Sequence, residues 1–255
     1  MERSFLEPSE IYLSAVAKGV EKANASIKKL LVLGILGGLY VSLGYIAYIR
    51  VAGSLDAAVG NLLGAAIFPL GLICILIAGG ELVTGNFMLI PLALYEGKTS
   101  LWSMIRNFLI VTVANLIGSL FAAYVLGHLT GLMEGAFLSK TFAVAESKIN
   151  VGFIEGMFSA MGCTLLVGLA IWMCIGAKDI ASKVLVIWFP IASFVAIGFQ
   201  HLVANMFIIP AAMFAGANIT IQEFVINMGM VFIGNLIGAA VIMALPYSIL
   251  FKKDV

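Results

Sequence analysis

Two ionisable side chains lie deep inside long apolar segments of this sequence. Residues 57–95 contain no charged residue except Glu81, and residues 184–222 contain none but include His201. An ionisable group in such a setting is costly, so it usually faces a protein interior and has a function. Histidine changes charge near neutral pH, so His201 could meet an anion and exchange a proton with it. The alternative is a neutral histidine that ties two helices together.

Glu81 and two further residues could act on the same substrate or support its path. A carboxylate facing an anion path would repel the substrate, so we expect Glu81 to hydrogen-bond the backbone of its own loop. The hydroxyl of Thr84 can donate to an anion, although that signal is weak alone. Lys148 stands just before an apolar run, where it either concentrates anions at an entrance or is a solvated flanking residue.

Other classes of function lack their residues. The sequence has no Gly-rich phosphate loop, Ser-His-Asp set, HExxH motif or carboxylate pair, so we predict neither an enzyme nor a cofactor. The three cysteines lie in apolar runs without metal-binding spacing and are interpreted as small buried hydrophobes. A net charge of +1 and the lack of a basic cluster argue against nucleic acid as a partner.

The composition requires lipid as the solvent. Hydrophobic residues make up 62% of the 255 positions, charged residues only 11%, and the mean hydropathy is +1.13. Soluble domains are about half apolar and a quarter charged. Four further runs are free of charged residues and long enough to cross a bilayer as helices, namely 30–49, 107–127, 156–177 and 224–251. We therefore predict an all-α integral membrane protein.

The sequence also contains an internal repeat. Its two long apolar segments share Phe-Pro, an ionisable residue near Leu-Val, and an Asn that precedes a Pro by five residues. In this alignment Glu81 and His201 are equivalent, and so are Asn86 and Asn205. The shared elements are Phe68-Pro69, Glu81-Leu82-Val83, Asn86, Pro91 and Asn115-Leu116-Ile117-Gly118 in the first half, and Phe189-Pro190, His201-Leu202-Val203, Asn205, Pro210 and Asn235-Leu236-Ile237-Gly238 in the second.

The distribution of positive charge favours six spans. With three spans in each half, the second half enters the membrane from the opposite side, which makes the repeat an inverted one. Six spans with both termini cytoplasmic leave only Arg50, Lys140 and Lys148 outside, as the positive-inside rule favours. The alternative, eight spans with a parallel repeat, moves more basic residues out. The predicted units are a cytoplasmic surface helix (1–28), the first repeat (29–128), an external connecting loop (129–149), the second repeat (150–251) and a cytoplasmic tail (252–255).

The two long segments are then spans two and five, each broken in the middle. Proline disfavours helix continuation, and Gly79-Gly80 and Gly85 flank Glu81. Irregular backbone at membrane depth survives only where it is buried in protein or lines a water-filled path. Paired breaks therefore indicate the substrate pathway near the midplane, although Gly and Pro also merely kink membrane helices.

The residues around His201 resemble a known family. Gly198-Phe199-Gln200-His201-Leu202-Val203-Ala204-Asn205-Met206, paired with Leu82-Val83-Thr84, is similar to the formate/nitrite transporters, and the resemblance spans the whole chain. It implies an aquaporin-like fold of six helices per protomer, a pentamer with one pore in each protomer, and a multi-pass protein of the cell (plasma) membrane.

The resemblance also implies roles for individual residues. Thr84 and His201 would meet at the pore centre, Lys148 would lie near the outer mouth, and Glu81, Asn86 and Asn205 would support the loops. The residues implied in two apolar constrictions are Phe68, Leu72, Leu82, Val83 and Phe194.

The implied function is a channel for the anions of small weak acids, namely formate, nitrite or hydrosulfide. Val83, Gln200 and Thr164 depart from the pattern of the formate channels, which carry Phe, Glu and Asn there, and are similar to the hydrosulfide-channel branch. Two alternatives remain open: a proton-coupled symporter of the same anions, and an aquaporin-like channel for neutral solutes.

Overall fold

A computed structural model describes residues 3–252 of the protein, and most of them are helical. The predicted tail 252–255 therefore lies outside the described residues except for Lys252. The helices in chain order are α1 (Pro8–Ala23), α2 (Ile27–Gly53), α3 (Ala57–Gly79), α4 (Val83–Tyr95), α5 (Leu101–Leu129), α6 (Leu138–Ile149), α7 (Phe153–Gly176), α8 (Ile180–Ile197), α9 (Leu202–Phe214) and α10 (Ile221–Phe251).

Six of these helices are long and apolar enough to cross a membrane, namely α2, α3, α5, α7, α8 and α10. Three of the four charge-free runs predicted as spans fall within them, and the fourth, 156–177, extends one residue beyond α7. The shorter helices α4 and α9 are also apolar, and nearly all of their residues are buried by protein. The predicted all-α membrane fold with six spans is confirmed.

The second and fifth spans are interrupted, as predicted. Helix α3 ends at Gly79, whose φ of +107° is in the left-handed region, and α8 is capped by Gly198 with φ +87°. Glycine adopts this conformation without the steric cost that a Cβ atom adds. The chain then runs extended into the next helix, with Leu82 at φ −123° and ψ 119° and His201 at φ −124° and ψ 125°. The two breaks therefore have the same backbone geometry.

The prolines lie elsewhere. Pro91 and Pro210 are inside α4 and α9, and Pro190 is inside α8. The glycines therefore terminate the helices, whereas the prolines that supported this prediction are accommodated within helical turns.

Two amphipathic helices, α1 and α6, are not among the six spans. The segment 129–149, predicted as a connecting loop, contains the helix α6. Helix α1, predicted to lie on the surface, buries Tyr12 and Val16 and packs closely on α4, because a Cβ at Gly19 would lie 2.0 Å from the carbonyl oxygen of Leu89. An apolar stripe on a short polar helix needs such a partner.

Helices α2 and α5 approach each other closely at Gly34 and Gly38 of α2. A Cβ at Gly34 would lie 2.5 Å from the Ala114 Cβ, and one at Gly38 would lie 2.1 Å from the Asn115 carbonyl oxygen. Small residues permit such backbone proximity in membranes. The approach brings the Asn115 side chain within reach of the first break.

We expect residue 98 to lie on the cytoplasmic side of the membrane and residue 140 on the external side, because two spans precede residue 98 and three precede residue 140. Lys98→Cys and Lys140→Cys, made separately with the native cysteines replaced by alanine, should react with a membrane-impermeant maleimide only from the cytoplasmic face and only from the external face, respectively. The reverse pattern, with position 98 labelled from outside and position 140 protected, would exclude the six-span inverted repeat and favour eight spans.

Candidate functional site

Asn115 on α5 satisfies the polar backbone atoms that the first break exposes. Its Oδ1 accepts from the amide of Val83 at 3.0 Å, and its Nδ2 donates to the carbonyl oxygens of Glu81 and Gly34 at 2.8 and 2.7 Å. Unpaired backbone groups at this depth would be costly, so a fully buried amide that forms three bonds stabilises the interruption.

Asn235 on α10 does the same at the second break. Its Oδ1 accepts from the amide of Leu202 at 2.9 Å, and its Nδ2 donates to the carbonyl oxygens of Gln200 and Ala160 at 3.2 and 2.8 Å. The two asparagines were recognised in the sequence only as repeat markers. Their shared bonding pattern supports the internal duplication.

A second pair of networks lies behind the breaks. In the first half, the Glu81 carboxylate accepts from the Lys22 ammonium at 2.7 and 2.8 Å and from Asn86 Nδ2 at 2.9 Å. Asn86 also donates to Asn107, which donates to the carbonyl oxygen of Lys22. The prediction that Glu81 bonds its loop backbone was therefore wrong, because a lysine on α1 and the Asn86 amide take both carboxylate oxygens.

In the second half, Gln200 stands where Glu81 stands in the first. Its Oε1 accepts from Asn205 Nδ2 at 2.7 Å, and its Nε2 donates to the carbonyl oxygen of Lys148 at 3.3 Å. Asn205 also donates to Asn227, which donates to that same Lys148 carbonyl oxygen. Lys148 on α6 is thus the counterpart of Lys22 on α1.

These networks correct the predicted alignment by one residue. Glu81 corresponds to Gln200. Leu82 corresponds to His201, because Leu82 is the N-cap of α4 and His201 is the N-cap of α9. The Leu-Val dipeptide that follows both Glu81 and His201 suggested the wrong register. The spacing of five residues from Glu81 to Asn86, and from Gln200 to Asn205, was the better signal.

Thr84 and His201 meet between the halves. His201 Nε2 lies 3.0 Å from Thr84 Oγ1, and His201 Nδ1 accepts from the amide of Ala204 at 3.1 Å. A backbone amide can only donate, so Nδ1 carries no proton and the neutral ring has its proton on Nε2. Nε2 therefore donates to Thr84, whose own hydroxyl proton is free for another acceptor.

Apolar side chains enclose this pair on one side. A cavity of about 10 Å³, close to the smallest that holds one water, is lined by His201, four predicted constriction residues and three further apolar residues. They are Phe68, Leu72, Leu82 and Phe194, with Val41, Val167 and Ile191. Phe194 stacks on the His201 ring with centroids 5.6 Å apart, which orients the imidazole.

The remaining predicted residues lie around this centre. Val83 is buried but does not line the cavity. Lys148 is only 8% exposed and donates to the carbonyl oxygens of Gly198 and Phe199 at 2.9 and 3.1 Å. No carboxylate pairs with it among residues 3–252. Burial lowers the pKa of its ammonium from 10.5 to about 8. Its charge is thus uncompensated, unlike that of Lys22.

Known sequences similar to this chain are transporters and channels. The family model described as formate/nitrite transporter matches residues 9–249. A Bacillus subtilis transporter named YrhG, described as uncharacterized, is 50% identical over 98% of this chain and 96% of its own length. The formate channel BtFdhC of Bacillus thuringiensis is 43% identical over 98% of this chain and 98% of its own length.

Two solved structures have the same fold. One, described as an FNT family ion channel, superposes with a TM-score of 0.89 at 29% identity, covering 96% of this chain and 99% of that one. The other, a pentameric formate channel with formate bound, gives 0.79 at 31% identity, covering 89% and 98%.

We expect Asn235→Ala to destabilise the protein, because it leaves the buried Leu202 amide and Gln200 carbonyl oxygen without their partner. A buried polar group without its hydrogen bond costs about 1–3 kcal/mol, so the thermal unfolding midpoint in detergent should fall by several degrees. Asn218→Ala, at an exposed position, is the control and should leave the midpoint unchanged. Equal midpoints for both variants would contradict the role given to Asn235.

Proposed function

This chain belongs to the formate/nitrite transporter family, and on that premise we propose that it is a membrane channel for small monovalent weak-acid anions, formate foremost among them. The family transports solutes and is not enzymatic. The relative named as a formate channel and the formate-bound structure favour formate, whereas the departures at Val83, Gln200 and Thr164 favour hydrosulfide. Nitrite is proposed as a substrate because the family description names it.

The observation that carries the proposal is the contact of Thr84 with His201. These two residues bring the beginnings of α4 and α9 together, and both side chains are buried, His201 being only 3% exposed. The first-turn amides of Thr84 and Val203 donate to no protein group among residues 3–252. Helix N-termini carry a partial positive charge, and two of them facing one centre favour an anion there.

The apolar walls set the barrier that this centre must offset. A bare anion loses its hydration in such a passage, at a cost of several kcal/mol. The Thr84 hydroxyl and the His201 Nε2–H, released from Thr84, can both donate to the anion and compensate part of that cost. Protonation of the anion would remove the rest, because a neutral weak acid crosses an apolar constriction without losing the hydration of a charge.

The proton that would be transferred to the anion is the one on His201 Nε2. An imidazolium at His201 would pass its Nε2 proton to the anion and leave the neutral ring, with the proton on Nδ1. That second ring proton requires Nδ1 to release the amide of Ala204. Proton transfer would therefore be coupled to a change at the cap of α9.

The assembly and orientation follow from the same premise. We propose a homopentamer with a pore in each protomer, in the plasma membrane, with both termini cytoplasmic and Lys148 near the outer mouth. The pentamer rests on the structure described as a pentameric formate channel, and the orientation rests on the distribution of basic residues.

Flux into proteoliposomes tests the function. Formate, nitrite, hydrosulfide and glycerol would be compared with and without a pH gradient. We expect the three weak-acid anions to pass, formate fastest, and glycerol to be excluded. Passage of glycerol without the anions would refute the proposal, and accumulation of formate driven strictly by the proton gradient would indicate a symporter.

We expect His201→Asn to fold but to conduct weak acids poorly. Asparagine keeps polarity and approximate size but cannot titrate. Loss of a strong hydrogen bond to a charged group costs about 1.5–3 kcal/mol, so formate flux should fall by about tenfold or more and lose its pH profile. Chloride, which is not protonated, serves as the comparison ion. A wild-type rate with the same pH response would leave His201 as a structural tie.

Leu82→Ala and Phe194→Ala should widen the apolar passage. A smaller apolar side chain admits water and lowers the cost of moving an ion, so we expect faster flux or weaker discrimination between anions. The outcome against this role is an equal loss of folding and flux in both variants, which would make these residues ordinary packing.

Lys148 should give transport a pH response of its own. Raising the pH through about 8 removes its charge, so attraction of anions should be present below that pH and lost above it. We expect the formate flux ratio of wild type to Lys148→Gln to exceed one at neutral pH and to approach one in alkali. Taking the ratio cancels the changing fraction of protonated substrate.

Cys163 and His201 are the titratable groups that interact electrostatically with the Lys148 ammonium. The same ratio measured in a His201→Asn/Cys163→Ala background therefore isolates the lysine. A ratio that stays constant with pH in both backgrounds would rule out a recruiting role for Lys148.

A further inference from the structure

A basic cavity lies beside the first break and is distinct from the cavity next to His201. It has a volume of about 230 Å³ and is lined by three lysines, Lys18 and Lys22 of α1 and Lys183 of α8, with Gly80 of the break in its wall. Since one water takes about 30 Å³ of liquid, the cavity accommodates a small polyatomic ion with some of its hydration.

The charges around the cavity do not cancel. Lys22 is neutralised by its bidentate contact with Glu81. Lys18 and Lys183 have no carboxylate partner among residues 3–252. Two uncompensated ammonium groups, contributed by different helices, therefore face one space. Charge complementarity there is best for an anion with two negative charges.

The remaining wall is apolar and leads toward the closed passage. Ile75 and Leu76 of α3 and Leu89 of α4 line the cavity, and Leu72, one helical turn before Leu76, lines the passage next to His201. The cost of moving an ion into an apolar region rises with the square of its charge. A divalent anion would therefore be held at the lysines but could not follow a monovalent anion onward.

We propose that this cavity is a binding site for a divalent oxyanion, such as sulfate or phosphate, which occludes the pore from that side. A monovalent substrate would bind there weakly and move on, whereas a divalent ion would remain and compete with it. The block rests on the proposed transport function, but the binding itself does not.

Cys174 provides a readout that needs no transport. Its side chain lines the same cavity, so a bound anion should slow its reaction with a small negatively charged thiol reagent. The test uses the full-length protein in detergent with Cys74→Ala and Cys163→Ala, and compares sodium sulfate with sodium chloride at equal ionic strength. We expect sulfate to protect Cys174 at concentrations at which chloride does not.

Substitution of the lysines locates the site. In Lys18→Gln/Lys183→Gln the sulfate concentration for half protection should rise by about fivefold or more, as expected for the loss of two partly exposed ion pairs. Lys98→Gln, an exposed lysine away from the cavity, should leave it unchanged. Equal protection by chloride and sulfate, or protection that survives the double substitution, would overturn the proposal.

Two further experiments separate anion binding from the proposed transport function and from binding of a lipid headgroup. In sealed vesicles of both orientations, sulfate should inhibit formate flux only from the face on which Lys183 lies. If wild type shows no formate flux but Cys174 is still protected, the transport proposal fails and the site stands. Protection by phosphatidylglycerol in mixed micelles, with none by sulfate or phosphate, would assign the cavity to a lipid headgroup and contradict the free-anion site.

Discussion

Two interruptions of the backbone at membrane depth are the constraint on which the rest of the structure depends. Each break exposes both N–H and C=O groups that neither lipid nor helix can satisfy. The side chain that closes a break must therefore accept and donate at the same time. A carboxylate only accepts, a hydroxyl donates a single proton, and an ammonium only donates. Asparagine has one oxygen and two N–H bonds, and Asn115 and Asn235 use all three.

Closing the breaks with side chains leaves the starts of α4 and α9 open toward each other. One amide of each first turn is bonded by an asparagine, and another has no partner within residues 3–252. The Thr84–His201 contact occupies the space between these two helix ends, and apolar residues from four other elements surround it. The interrupted backbone, whose polar groups are costly to bury in the membrane, therefore also creates a polar centre inside an apolar passage.

The positions of the two breaks could be predicted from the amino-acid sequence, but the hydrogen bonds that close them could not. The prolines and, at the first break, Gly79-Gly80 and Gly85 supported that prediction, whereas Gly198, which ends α8 with left-handed backbone, was not recognised as a signal. Lys22 could not be assigned to Glu81, since the two are distant in sequence and α1 also carries Lys18. Val41, Val167 and Ile191 were missed because nothing distinguishes a pore-facing Val or Ile from one that faces lipid. Helix α6 was missed because a short, amphipathic pattern in a polar stretch is weak evidence of a helix.

The bonds around each break also bear on how the protein is made. All partners of the first break, from Lys22 to Asn115, precede residue 129, and all partners of the second, from Lys148 to Asn235, follow it. In each half the lysine is synthesised before the break and the two asparagines of the following span after it. A break remains incompletely bonded until that span has emerged from the ribosome. The smallest piece of the chain that can leave the insertion machinery with its polar groups satisfied is therefore an entire half, and the two halves need only meet afterwards at Thr84 and His201.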